Sequence, residues 1–172
     1  MSAHRLPYTI NPMRFCEQRQ YLEGQYLLAD MPRLLETCIK KDSQLPVKVT
    51  LESGKDLQGL FYIKGKATAM ISVLCQRCLQ EMVQVLICEF VLSPVATEEK
   101  ELELPSEYSA LYTKDSECNL LHAIEDELLL ELPIIPKHQN ENCNDILGKM
   151  YYNSTQKDNA FVKLKDRLNF KK

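Results

Sequence analysis

The fold is decided by 57-LQGLFYIKGKATAMISVLCQRCLQEMVQVLICEFVLSPV-95. Residues 57–74 are rich in β-branched and aromatic side chains and read as a strand or two, with Gly59 and Gly65 as bends or bulges. Residues 82–95 read as a further strand, which Pro94 brings to an end. Just upstream, 45-LPVKVTLES-53 sets Val47, Val49 and Leu51 against Lys48, Thr50 and Glu52, the alternation of a half-buried strand. Sequential strands with short connections favour an antiparallel sheet, here over about residues 45–93.

Helical signals flank this block. Asn11 followed by Pro12 is a helix start. Residues 25–41, QYLLADMPRLLETCIKK, predict a second short helix with Asp30 as its N-cap and Leu34, Leu35, Cys38 and Ile39 as its apolar stripe. The clearest helix is 119-NLLHAIEDELLLELP-133. Asn119 caps it, Leu121, Ile124, Leu128 and Leu132 form the buried row, Glu125, Asp126 and Glu127 lie on or near the exposed side, and Pro133 ends it. Residues 96–116 predict a long acidic loop, and 134–145 an extended one. The segment 147–160 is polar and expected to be mobile. Residues 159–172, NAFVKLKDRLNFKK, close with a basic amphipathic helix carrying Phe161, Leu164 and Leu168. The expectation is one α+β domain over residues 1–172, an antiparallel sheet flanked by helices.

Composition removes several function classes. Neither G-x-G-x-x-G nor G-x-x-x-x-G-K occurs, and no H-E-x-x-H or nucleophile elbow is present, so no enzyme and no small-molecule substrate is indicated. No apolar run approaches about 18 residues and the N-terminus has no signal-peptide core, which points to the cytoplasm and away from membranes. Seven cysteines at irregular spacing in that compartment read as thiols or metal ligands. Cys16, Cys38, Cys88 and Cys118 sit singly among apolar neighbours and read as packed core. The net charge of −3 conceals a division: residues 98–131 hold eleven acids against Lys100 and Lys114, leaving +6 elsewhere. A chain divided in this way can offer phosphate a basic face and a basic protein an acidic one; ordinary solvated charge is the plainer reading.

The pair Cys75–Cys78 admits three readings: a redox couple, half of a zinc site, or two packed residues. A redox couple wants a helix N-terminus to lower the nucleophile's pKa, whereas this pair lies between two strands. Zinc needs two more ligands, which His138 and Cys143 can supply from the loop after the main helix. By spacing alone His138 reads equally as an exposed loop histidine.

Five segments in order, LPYTINPMRF, LCQRCLQEMVQVLICEFVLSPV, AIEDELLLELPIIPKH, the following Cys143 and NAFVKLKDRL, resemble the YceD family of large ribosomal RNA subunit accumulation proteins. The resemblance implies a non-enzymatic role in the synthesis, processing or stability of 23S rRNA, with pre-rRNA or the assembling large subunit as partner, met directly or through a protein. Relatives carry cysteines after the helix–proline segment, which pairs His138 and Cys143 with Cys75 and Cys78 as a structural zinc site; this chain has fewer thiols there than the cysteine-rich members. RNA contact would fall to Lys163, Lys165, Arg167, Lys171 and Lys172, with Arg5, Arg14 and Arg19 near the start. The alternative is a protein-interaction module that holds a basic ribosomal protein or a processing factor on its acidic region without touching RNA.

Overall fold

The computed structural model describes residues 5–113, 116–140 and 143. In chain order the elements are β1 (Thr9–Ile10), α1 (Pro12–Glu17), β2 (Tyr21–Leu27), α2 (Pro32–Glu36), β3 (Pro46–Lys55), β4 (Phe61–Leu74), β5 (Glu81–Val95), α3 (Glu98–Glu101), β6 (Ser109–Tyr112), β7 (Cys118–Asn119) and α4 (Leu120–Leu130). Strands β2 to β6 form one five-stranded sheet in sequence order, antiparallel except for the last pair, where β6 runs parallel to β5.

The β4–β5 hairpin is the spine. Its register runs unbroken from Ile63↔Leu92 to Leu74↔Glu81. The period of two sends Ile63, Ala67, Ala69, Ile71 and Val73 inward with Leu86, Cys88, Phe90 and Leu92, and turns Lys64, Lys66 and Met70 outward. Residues 57–74 therefore hold a single strand. Gly59 lies in the preceding turn at φ 91°, but Gly65 is neither a bend nor a bulge. A Cβ there would lie 2.2 Å from the Phe90 ring and 2.8 Å from Leu51, so glycine lets the ring cross the strand.

Three sequence expectations need correction. The sheet begins at Tyr21, not near 45: residues 21–27 pair with β3 from Tyr21↔Glu52 to Leu27↔Pro46, and α2 shrinks to Pro32–Glu36. Asp30 does not cap α2. Its carboxylate accepts from the Leu27 N–H and meets Arg5 at 2.9 Å and the Tyr8 hydroxyl at 2.8 Å, fastening the N-terminal segment to the end of β2. Residues 96–116 are not a plain acidic loop, since they contain α3 and β6. A parallel pair needs about a dozen residues of crossover, and residues 96–108 supply it.

Helices α1 and α4 pack on one face of the sheet, α1 against β3 and β4, α4 against β4 and β5, with α2 against α4. The caps are as the sequence implies: Asn11 accepts from the Arg14 N–H at 2.9 Å, and Asn119 from the His122 N–H at 3.0 Å. The N-terminal segment closes on α4 through the β1–β7 pair and a bond from the Leu120 N–H to the Tyr8 carbonyl.

Glu125 is also placed differently from the expectation. It has no solvent exposure and accepts from the Arg33 and Leu34 N–H groups at 2.8 and 3.1 Å and from the Arg33 guanidinium at 3.0 Å. The carboxylate thus satisfies the first N–H groups of α2 and joins that helix to α4. Asp126 takes the other side of Arg33 at 2.5 Å and is exposed. Two of the acids counted in residues 98–131 are thereby committed internally, which weakens a uniform acidic docking face.

Candidate metal centre

Between Leu74 and Glu81 the chain turns over residues 75–80. The Leu79 N–H bonds the Cys75 carbonyl and the Cys75 N–H bonds the Gln80 carbonyl, both at 2.9 Å. Leu79 takes φ 57°, a left-handed conformation uncommon for a branched residue. This tight turn presents both sulfurs on the same side of the hairpin tip.

The loop after α4 comes back to that tip and is held there by main-chain groups and the Arg77 side chain. The Gln76 N–H bonds the Pro136 carbonyl at 2.8 Å, the Arg77 guanidinium bonds the Asn140 carbonyl at 2.9 Å, and the His138 N–H points at Cys75 Sγ at 3.4 Å. Cys75, Cys78, His138 and Cys143 converge as a result, with one ligand atom from each and all four atoms within 4.8 Å of one another. Cys75 Sγ lies 3.9 Å from Cys143 Sγ, and Cys78 Sγ lies 3.3 Å from His138 Nδ1. Zn–S bonds of ~2.3 Å and Zn–N bonds of ~2.0 Å arranged tetrahedrally require S···S edges of about 3.8 Å and S···N edges of about 3.5 Å. The observed spacing fits a tetrahedral thiolate-rich ion site.

The electrostatics agree. Burial pushes the Cys75 thiol up, but N–H groups of Cys78, His138 and Arg77 and the Cys78 thiol outweigh it and bring the pKa down to about 5. Cys143 is raised, first by burial and then by its sulfur neighbours. One thiolate is stabilised by the peptide groups, and further thiolates beside it need a cation. The packed cysteines contrast: burial drives Cys16, Cys88 and Cys118 each up to about 11, leaving them as thiols. Cys38 is likewise buried and raised.

The family model of the large ribosomal RNA subunit accumulation protein YceD matches residues 63–167. A Haemophilus influenzae protein of that name is 32% identical over 170 residues, covering 95% of this chain and 97% of the relative. The chain belongs to the YceD family. No solved structure matches it. The span matched by the YceD model contains β4 from Ile63 onward, β5, α4 and all four residues of the sulfur–imidazole cluster.

The structure thus brings together the four residues singled out as metal ligands. The basic set Lys163, Lys165, Arg167, Lys171 and Lys172, and the polar stretch 147–160, lie outside the described residues. Of the N-terminal cations, Arg5 is tied to Asp30, while Arg14 and Arg19 are exposed at and just after α1. No helix among the described residues is long and apolar enough to cross a membrane. Sequence reading missed the supports of the site, the Arg77–Asn140 and Gln76–Pro136 bonds. Two of these four groups are peptide carbonyls, which carry no residue-type signal.

Proposed function

We propose that this chain is a non-enzymatic factor supporting the accumulation of 23S rRNA during large-subunit biogenesis, acting on pre-rRNA or the assembling particle. The observation that carries the reading is membership of a family named for large ribosomal RNA accumulation, with similarity running along nearly the whole chain. In this reading Cys75, Cys78, His138 and Cys143 bind a structural zinc. Four protein ligands leave no open position for water, so the ion supplies cross-linking rather than Lewis-acid chemistry. It closes the interval from residue 78 to residue 138 and fixes the loop after α4 on the hairpin tip. The basic residues at 163–172 are the RNA contacts proposed for this factor, bound through phosphate and weakened by salt.

The test is the ratio of 23S to 16S rRNA in a strain lacking this chain. A lowered ratio restored by the wild-type chain supports the role. An unchanged ratio contradicts it and returns the acidic protein-interaction module as the better reading.

A further inference from the structure

Strand β5 is the longest of the sheet, and β6 covers only its last residues, from Leu92↔Ser109 to Val95↔Tyr112. Among the described residues no strand pairs with the same edge over residues 81–91. Antiparallel pairs alternate between those that exchange hydrogen bonds and those that do not. The Cys75 N–H bonds the Gln80 carbonyl, so the neighbouring pair Leu74↔Glu81 is of the second kind. Ser72↔Val83, Met70↔Val85 and Thr68↔Ile87 follow in the same phase. Two contacts agree with it. The Ile39 N–H reaches the Ser72 carbonyl from the far side of β4, and the Gln84 side-chain amide reaches the Val85 carbonyl at 3.1 Å. The N–H and C=O groups of Val83, Val85 and Ile87 therefore point away from β4, toward the open edge.

Such an edge is ordinarily blunted by proline, a bulge or a charge. Here the register is unbroken, and residues 82–88 carry neither charge nor proline. The side chains beside the open groups are apolar and exposed, Val83 at 66%, Val85 at 47% and Ile87 at 50%. On the inner side, α4 brings acids. At ~100° per residue Glu127 and Glu131 fall on the flank opposite Glu125, which faces α2. Both bear on the Cys88 thiol and raise its pKa, so they lie near the inner face of β5. Neither makes an ion pair with a described residue. Burial and Asp126 raise the pKa of Glu127, as in a carboxylate short of a cation.

We propose that the open edge of β5 over residues 81–89 binds an extended segment of a basic protein, in which apolar residues alternate with lysine or arginine. Main-chain groups of the segment pair with those of Val83, Val85 and Ile87. The period of two sets its apolar side chains beside those valines and Ile87, and its cations on the side of Glu127 and Glu131. A second copy fits less well. Two β5 edges paired antiparallel about Val85 set Val83 opposite Ile87, but they place Glu127 and Glu131 of both copies along one seam. Like charges across paired strands are destabilising. Glu81 and Glu89 are each matched by a lysine, Lys40 and Lys66, so the unmatched charge is that of α4. The same charge disfavours a polyanion. The inference goes beyond the rRNA reading and stands apart from it, since neither the metal nor the basic residues at 163–172 enter.

The test is amide hydrogen exchange by NMR on the full-length chain. The probe is a short capped peptide of alternating lysine and valine, and its control alternates glutamate and valine. In the free chain the Val83, Val85 and Ile87 amides are expected to exchange fast, and the Gln84 and Leu86 amides, which face β4, slowly. Saturating lysine peptide should slow the first three by about tenfold or more and leave the other two unchanged. The glutamate peptide should slow none of them. Glu127→Gln/Glu131→Gln should weaken binding of the lysine peptide about threefold or more and flatten its salt dependence, with Leu86 protection intact. The proposal is overturned if the edge amides are already protected in the free chain. Protection independent of protein concentration then means that the chain covers its own edge, and protection that grows with it means a second copy. It is equally overturned if the lysine peptide slows no edge amide, if both peptides act alike, or if the double variant binds as the wild type does.

Discussion

At Glu125 a carboxylate with no exposure accepts from two backbone N–H groups and a guanidinium. Glu125→Ala leaves the first N–H groups of α2 without their acceptor and is expected to cost about 3 kcal/mol in urea unfolding. Asp126→Asn, on the exposed side of the same arginine, is expected to change stability by less than about 1 kcal/mol. Equal costs would contradict the assignment of Glu125 as the link between α2 and α4. The Asp30 carboxylate responds to pH. Burial acts to raise its pKa, but the Leu27 N–H, the Tyr8 hydroxyl and Arg5 outweigh it, so the folded value lies below the ordinary one of 3.8. A depressed carboxylate contributes stability that is complete at neutral pH and lost as pH falls through the folded value. Asp30→Asn is expected to lower stability by about 1 kcal/mol at pH 7 and to reduce its decline below pH 3.8, read by urea unfolding across pH. Gly65→Ala puts a carbon 2.2 Å from the Phe90 ring and is expected to cost about 1–3 kcal/mol. Phe90→Leu in the same chain should recover part of that loss, as coupled neighbours do.

Among the elements, the long hairpin, α1 and α4 were legible because period, length and caps agree within each segment. Val47, Val49 and Leu51 on β3 and the Asn119 cap of α4 are read directly from residue type. Strand β2 was not legible, although Leu22 and Tyr26 alternate with Glu23 and Gln25. Gly24 reads as a breaker, and strong helix formers follow; pairing with β3 overrides both. Strand β6 has only four residues inside an acidic stretch, and its parallel partner is set by tertiary packing. By residue type Glu125 reads with Asp126 and Glu127 on or near the exposed side, because the partner that buries it lies on a different helix. The four candidate ligands are named by their chemistry and paired by the family resemblance, but their convergence depends on hydrogen bonds from peptide groups and the Arg77 guanidinium between the turn and the returning loop. The turn and loop together are expected to bind one zinc per chain. Elemental analysis should find it lost in Cys75→Ser and Cys143→Ser and retained in Cys88→Ser, whose sulfur packs inside the sheet. Zinc retained after Cys143→Ser would remove that residue from the site. Chelation should lower the melting temperature of the wild type and leave that of the serine variants unchanged.

For the whole molecule, the described helices α1 and α4 pack against the sheet, and the cysteine turn stands at the end of the hairpin to which the loop from α4 returns. A metal at that point would couple the hairpin tip to the loop that follows α4. The dependence of rRNA on this clip is what distinguishes a structural zinc factor from a fold that merely retains four ligands. The decisive measurement is the 23S to 16S ratio in a deletion strain carrying either the wild-type chain or Cys143→Ser at equal protein abundance. Restoration by the wild type with a deficit persisting for Cys143→Ser is the expected result. Full restoration by both would contradict a role for the metal centre in rRNA accumulation.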